Sequence, residues 1–92
     1  MMDSRRKKLL YRAMHRGFKE ADIVLGTFAK ENLQVMSEQE LDEFEWLLEV
    51  PDRELYSWII GEIPNPPNYD CEMLERLKAF PLSDYVLDGA GK

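Results

Sequence analysis

A chain with one histidine, His15, and one cysteine, Cys71, holds little of the usual equipment for nucleophilic or metal chemistry. Nucleophilic catalysis needs a serine or cysteine beside a positioned base. Here His15 lies in a basic opening segment and Cys71 follows a proline-rich connector. A structural zinc site takes about four Cys or His ligands, so two such residues fall short. No GxGxxG, phosphate-cradling glycine loop or EF-hand loop occurs. Carboxylates are plentiful over 38–54, but on a helix such as Glu38–Glu49 they read as a solvated face. This inventory weighs against an enzyme.

The residues that stand out are His15-Arg16-Gly17-Phe18-Lys19-Glu20-Ala21-Asp22. Two readings compete. In the plain structural one, Gly17 is a hinge, and Arg16 and Glu20 complement the dipoles of the helices on either side, worth about 0.3–1 kcal/mol each. In the functional one, a corner bared by glycine displays an arginine and a glutamate as a docking point. Without a Cβ at Gly17 a partner's backbone comes close, and the Arg16 fork takes a carboxylate or a pair of carbonyls. Phe18 and Asp22 belong to the same corner as candidate contacts. Tyr11, on the preceding basic helix, reads either as a core-edge tyrosine or as a further contact. His15 reads as a solvated helix-end residue, with a proton switch as the alternative.

Successive short helices must position this corner. Leu9, Leu10, Ala13 and Met14 form a narrow apolar stripe from Ser4 to about His15, and Gly17 stops it. Phe18, Ala21, Val24, Leu25 and Phe28 continue at spacings of three or four as far as Leu33. Met36-Ser37-Glu38-Gln39-Glu40-Leu41 is a capping-box pattern, with Met36 and Leu41 placed to clasp across the turn. The third helix then buries Leu41, Phe44, Leu47 and Leu48, and Val50-Pro51 ends it. Asp52 is expected to cap a fourth helix carrying Leu55, Trp58 and Ile59, which Gly61 closes. Pro64-Asn65-Pro66-Pro67-Asn68 is expected to be an extended, non-helical connector. A fifth helix is expected from Asp70 to about Phe80, with Pro81 breaking it. Trp46 falls away from the apolar stripe of its helix, and either packs beneath the C-terminal tail or anchors an interface. No strand alternation competes. The pattern predicts an all-α fold, a small antiparallel five-helix bundle, as one domain over 1–92 with an ordered core of about 5–80 and an extended or flexible tail over 81–92.

Composition narrows the function further. Ninety-two residues, 45% apolar and 33% charged, suffice for one soluble domain. The longest charge-free stretches, such as Ile23 to Ala29, are seven residues, against the roughly 20 of a membrane span. Arg5-Arg6-Lys7-Lys8 is followed by only Leu9-Leu10, so no signal peptide is read there. A single cysteine excludes an internal disulfide and suits a reducing compartment. Residues 1–20 carry a net charge of +5 and residues 21–92 one of −11. Most of such a surface repels nucleic acid and suits a protein partner with patches of both signs. The rival reading is a nucleic-acid-binding or regulatory module using Arg5, Arg6, Lys7, Lys8, Arg12 and Arg16. A chain that carries a flavin itself is a third reading, for which no nucleotide-binding motif speaks.

Arg16-Gly17-Phe18-Lys19-Glu20 matches the RGxxE motif of the succinate dehydrogenase assembly factors, the small flavinylation factors of bacteria and mitochondria. The sequence resembles that family also in Leu9-Leu10-Tyr11-Arg12, Phe28-Ala29-Lys30-Glu31-Asn32-Leu33, Leu47-Leu48-Glu49-Val50-Pro51-Asp52 and Leu55-Tyr56-Ser57-Trp58-Ile59. The resemblance spans about residues 5–80 and is nearer to the bacterial members. Ala21, where relatives often carry a larger apolar residue, departs in a way that affects packing rather than docking.

The resemblance implies a five-helix bundle that binds the flavoprotein subunit of succinate dehydrogenase, and in some bacteria fumarate reductase, and promotes covalent attachment of FAD to a histidine of that subunit. It implies that Arg16, Gly17 and Glu20 meet the client near its flavin site. It further implies no stably bound cofactor, a monomer, and a bacterial cytoplasmic setting, or a mitochondrial matrix for a trimmed eukaryotic form. The flavin's own chemistry supplies the reaction, and protein groups supply orientation and electrostatics.

Overall fold

A helix leaves backbone groups open at its ends, and at the starts of the first, third and fifth helices a side chain supplies the partner. The computed structural model describes residues 3–80, with five α-helices and two 3₁₀ turns among them and no strand. Helix α1 (Ser4–Met14) starts at Asp3, whose carboxylate accepts the Arg6 N–H at 2.9 Å. Helix α2 (Lys19–Asn32) begins after Phe18 without a side-chain cap and tightens into a 3₁₀ turn over Leu33–Val35. Helix α3 (Glu38–Leu48) carries the capping box that its sequence predicts: the Glu40 N–H donates to Ser37 Oγ at 3.1 Å, and the Ser37 N–H donates to Glu40 at 2.8 Å.

Helix α4 (Asp52–Ile59) departs from expectation at its start. Pro51 occupies the cap position and Asp52 is the first helical residue, so its carboxylate is free to turn elsewhere. Its end follows expectation. Gly61 adopts φ +80°, the Glu62 N–H reaches back to the Ser57 carbonyl at 2.9 Å, and the Gly61 N–H reaches the Trp58 carbonyl at 3.2 Å. That pair of bonds is a Schellman ending.

The connector is not wholly extended, as the prolines suggested. Pro67–Tyr69 forms a 3₁₀ turn closed by the Tyr69 N–H on the Pro66 carbonyl at 2.9 Å. Pro67 stands at the first position of that turn, where a missing N–H costs nothing and its fixed φ helps. Helix α5 (Glu72–Ala79) consequently starts two residues later than Asp70. The Cys71 sulfur accepts the Leu74 N–H at 3.4 Å, and Glu43 of α3 accepts the Met73 N–H at 2.8 Å. The break at Pro81 and the expected tail over 81–92 lie outside the described residues.

The apolar stripes converge on one core. Leu9 and Ala13 of α1, Val24, Leu25 and Phe28 of α2, Leu41, Phe44 and Leu47 of α3, Leu55 of α4, and Met73, Leu74 and Leu77 of α5 are all buried. Phe28 meets Phe44 at 5.9 Å and the Phe80 edge at 5.5 Å. Gly26 sets the spacing between α1 and α2, because a Cβ there would stand 2.8 Å from Met14 Cγ. Trp46 is 39% exposed and its ring stacks on Tyr69 at 4.6 Å, while Tyr69 leans on Trp58 at 5.1 Å. The tryptophan that the helical wheel left apart therefore seats the proline connector.

The capping box makes part of the stability pH-dependent. The Ser37 N–H, and after it the Arg76 guanidinium, hold the Glu40 carboxyl below its ordinary value of 4.5 against an opposing effect of burial. A carboxylate depressed in the folded state stabilises it above the unfolded value, and that contribution is lost as pH falls through the folded value. Glu40→Gln keeps a side chain able to close the box but removes the titration. Its denaturation midpoint is expected to fall less steeply than the wild type's between about pH 5 and pH 3, measured by urea titration monitored by circular dichroism.

Candidate protein-docking site

The corner between α1 and α2 turns on Gly17, whose φ of +90° is the left-handed conformation in which a glycine costs least. A Cβ built at Gly17 would meet nothing within 4 Å, so the corner lies open on that side. Glu20, the second residue of α2, is half-buried, and its side chain makes no hydrogen bond or ion pair among the described residues. Burial first, and then the charges of Glu20 and Glu62, push the Tyr56 phenol above its ordinary value.

Arg16 is not displayed. Its side chain is only 7% exposed and points toward the turn between α3 and α4. One terminal nitrogen donates to the Leu48 carbonyl, the other to the Val50 carbonyl, and Nε lies 2.7 Å from Asp52 Oδ1 as an ion pair rather than an aligned hydrogen bond. The physical reason lies in the partners. The last carbonyls of a helix lack intrahelical donors, and the Pro51 ring that follows brings no N–H. A planar fork of donors is what two such carbonyls accept. Arg16 thus serves the end of α3 and not, as the dipole argument had it, the end of its own helix.

Asp22 also turns inward, accepting the Arg16 backbone N–H at 2.6 Å and bracing the corner from the α2 side. Phe18 packs edge-on against Tyr56 at 5.2 Å, under the Arg53 guanidinium at 4.7 Å. Tyr11 is 65% exposed and stacks on His15 at 4.0 Å, and His15 Nδ1 is 2.8 Å from the Tyr11 carbonyl. Of the six candidates, Gly17 and Tyr11 are exposed and Glu20 is half-buried, while Arg16 and Asp22 are bound within the corner and Phe18 packs on Tyr56. Between the Tyr11–His15 stack and Glu49–Pro51 runs a groove of about 400 Å³, also lined by Arg16 and Asp52. Ala21 is buried, in keeping with a packing role.

Sequence reasoning missed Asp52 and the two carbonyls as partners of Arg16. A helix ending in Val50-Pro51, with carbonyls and no following donor, was the available signal.

The basic opening helix spends its arginines internally. Arg5 reaches Glu38 at 2.8 Å, Asp42 at 2.6 Å and Glu45 at 3.0 Å, and Arg12 stands 3.6 Å from Glu45. Arg6 donates to the Leu33 carbonyl at 2.7 Å and to the Met36 carbonyl at 2.5 Å. With Arg16 turned inward as well, exposed Lys7 and Lys8 are what α1 still offers a phosphate backbone, and nothing in this arrangement favours the nucleic-acid reading.

A family model described as flavinator of succinate dehydrogenase matches residues 7–81. The chain belongs to that family. It is 42% identical over 74 residues to the FAD assembly factor SdhE of Acetobacter pasteurianus, covering 80% of this chain and 68% of that protein. It is 37% identical over 70 residues to the mitochondrial succinate dehydrogenase assembly factor 2 of Dictyostelium discoideum, covering 76% of this chain and 50% of the relative. The same mitochondrial factor of Danio rerio is 38% identical over 81 residues, covering 86% and 51%. The chain thus spans about half the length of these mitochondrial relatives. No helix among the described residues is long and apolar enough to cross a membrane.

The geometry separates residues that hold the corner from those that face outward. Arg16→Ala is expected to cost about 2–3 kcal/mol, since two carbonyls and Asp52 lose their partner. Gly17→Ala is expected to cost about 1–2 kcal/mol from backbone conformation alone. Glu20→Gln is expected to stay within about 0.5 kcal/mol. Urea denaturation of the three variants measures this order, and a Glu20→Gln loss as large as that of Arg16→Ala would contradict it.

Proposed function

We propose that this protein is a non-enzymatic assembly factor that binds the flavoprotein subunit of succinate dehydrogenase and promotes covalent attachment of FAD to it. The observation that carries this reading is the membership of residues 7–81 in the flavinator family, joined to a corner that offers an open glycine and a carboxylate unpaired among the described residues. The flavin belongs to the client, whose own groups and the isoalloxazine ring carry the bond formation. The assembly factor contributes orientation. Gly17 admits the client's backbone closely, Glu20 accepts a hydrogen bond or a positive charge from the immature subunit, and exposed Tyr11 adds apolar area on the preceding helix. Holding the client with its histidine and flavin in reacting geometry converts a rare conformation into a populated one.

On this reading one copy of the chain serves one flavoprotein, fumarate reductase is a second client, and the setting is the bacterial cytoplasm. The A. pasteurianus relative, named an FAD assembly factor, supports the bacterial setting.

The test is reconstitution of the flavoprotein subunit with FAD in the presence and absence of this chain, with covalent flavin read by in-gel fluorescence. Wild-type protein is expected to raise the covalent fraction. Gly17→Arg and Glu20→Ala are expected to return it toward the level seen without the factor, although Glu20→Ala folds normally. Wild-type flavin levels with both variants would remove the corner as the docking site.

A further inference from the structure

Resting on the function proposed above, one question about this corner is open: what its buried arginine does for a docking surface that it does not join. Arg16 ties together three carbonyl or carboxylate groups of one short segment, at Leu48, Val50 and Asp52. That segment is the turn joining α3 to α4, and it forms one bank of the groove whose other bank is Tyr11 and His15. The Arg16 backbone N–H is in turn fixed by Asp22 of α2. One residue therefore links α1, α2 and the α3–α4 turn, and its immediate neighbour is Gly17, where the chain lies open.

We infer that Arg16 and Asp52 are positioning residues for flavinylation: a guanidinium latch that registers the α3–α4 turn against the α1–α2 corner, so that the flavoprotein meets one preformed surface built from both. In this arrangement the arginine of the motif touches no client atom. Its two terminal nitrogens each donate to a backbone carbonyl, its Nε faces Asp52, and 7% exposure leaves little of the side chain to present. Asp52, which the sequence marks only as a helix cap, becomes the charged half of the device. A surface assembled before binding needs no ordering at the moment of binding, which is how such a latch raises affinity without adding a contact.

The experiment compares wild type, Arg16→Lys, Asp52→Asn and the double variant in the flavinylation assay, at a temperature where circular dichroism shows each to be folded. Lysine keeps the charge but cannot span two carbonyls. The latch predicts that Arg16→Lys raises the concentration of factor giving half-maximal covalent flavin by about tenfold, the scale of one lost pre-organised interaction, while the maximal yield at saturation is kept. Asp52→Asn shifts the same parameter in the same direction by a smaller factor. The double variant is no worse than Arg16→Lys, because the two residues act as one unit. A merely structural arginine would lower the melting temperature and leave half-saturation unmoved for folded protein, and that result overturns the proposal.

Modification of arginines by phenylglyoxal, mapped by mass spectrometry, separates a latch from a contact. Arg16 is expected to be shielded in the free chain, with exposed Arg53 as the reactive control. Arg16 that reacts when free and is shielded only in the complex overturns the latch. Neutral Asp52→Asn beside an inactive Arg16→Lys does the same. If wild-type protein itself fails to raise covalent flavin, the functional reading fails, whereas shielding of Arg16 in the free chain still reports whether the latch exists.

Discussion

A guanidinium drawn almost entirely out of water must find acceptors for its donors within the protein, and Arg16 finds them in carbonyls that have no other use for their lone pairs. The match is mutual. Helix α3 ends at Leu48, the chain turns through Val50 into Pro51, and the backbone there has acceptors to spare and no donor at the proline. Breaking such an arrangement from either side leaves polar groups unsatisfied, which is costlier than the net worth of the bonds themselves. Arg16 thereby joins the corner to the α3–α4 turn, alongside the core packing of Leu48 and Val50.

The uneven division of charge along the chain acquires a physical sense from the same helix. The basic opening segment and the acidic remainder are largely each other's counterions. Arg5 gathers three carboxylates along α3, and Arg12 shares Glu45 with it. These exposed pairs add little stability one by one, but together they orient α1 along α3. Arg6 works differently, binding the Leu33 and Met36 carbonyls just ahead of α3 much as Arg16 binds those just behind it. Two arginines ten residues apart thus bracket the same helix at its two ends.

Much of the fold was legible because apolar spacing and capping chemistry are local. Met36 to Leu41 announced the start of α3, Gly61 announced the end of α4, and the buried residues of each helix were those at three- and four-residue spacing. The errors fell where a distant partner decides. Asp52 could cap α4 by its position, yet Pro51 takes that place and Arg16, distant in sequence, claims the carboxylate. The corner read either as helix-end charges or as a pair of displayed ones, but exposure is a tertiary property, and of the two only Glu20 has a side chain with no hydrogen bond or ion pair among the described residues. The connector differs from an extended chain for a simpler reason: proline excludes helix interiors but suits the first position of a 3₁₀ turn. Trp46 was visible as an oddity on its helix, though its stacking partner on the connector was not.

The sulfur that opens α5 has a practical side. Cys71 is the protein's single thiol, and burial and the neighbouring Glu43 raise its pKa, against the opposing effect of the Leu74 N–H. Alkylating it for a fluorophore or spin label would take away an acceptor from the helix start and crowd the Met73–Leu74 face with a bulky adduct. A serine in its place would offer the same N–H a harder oxygen acceptor, giving a thiol-free background into which a labelling cysteine could be placed elsewhere.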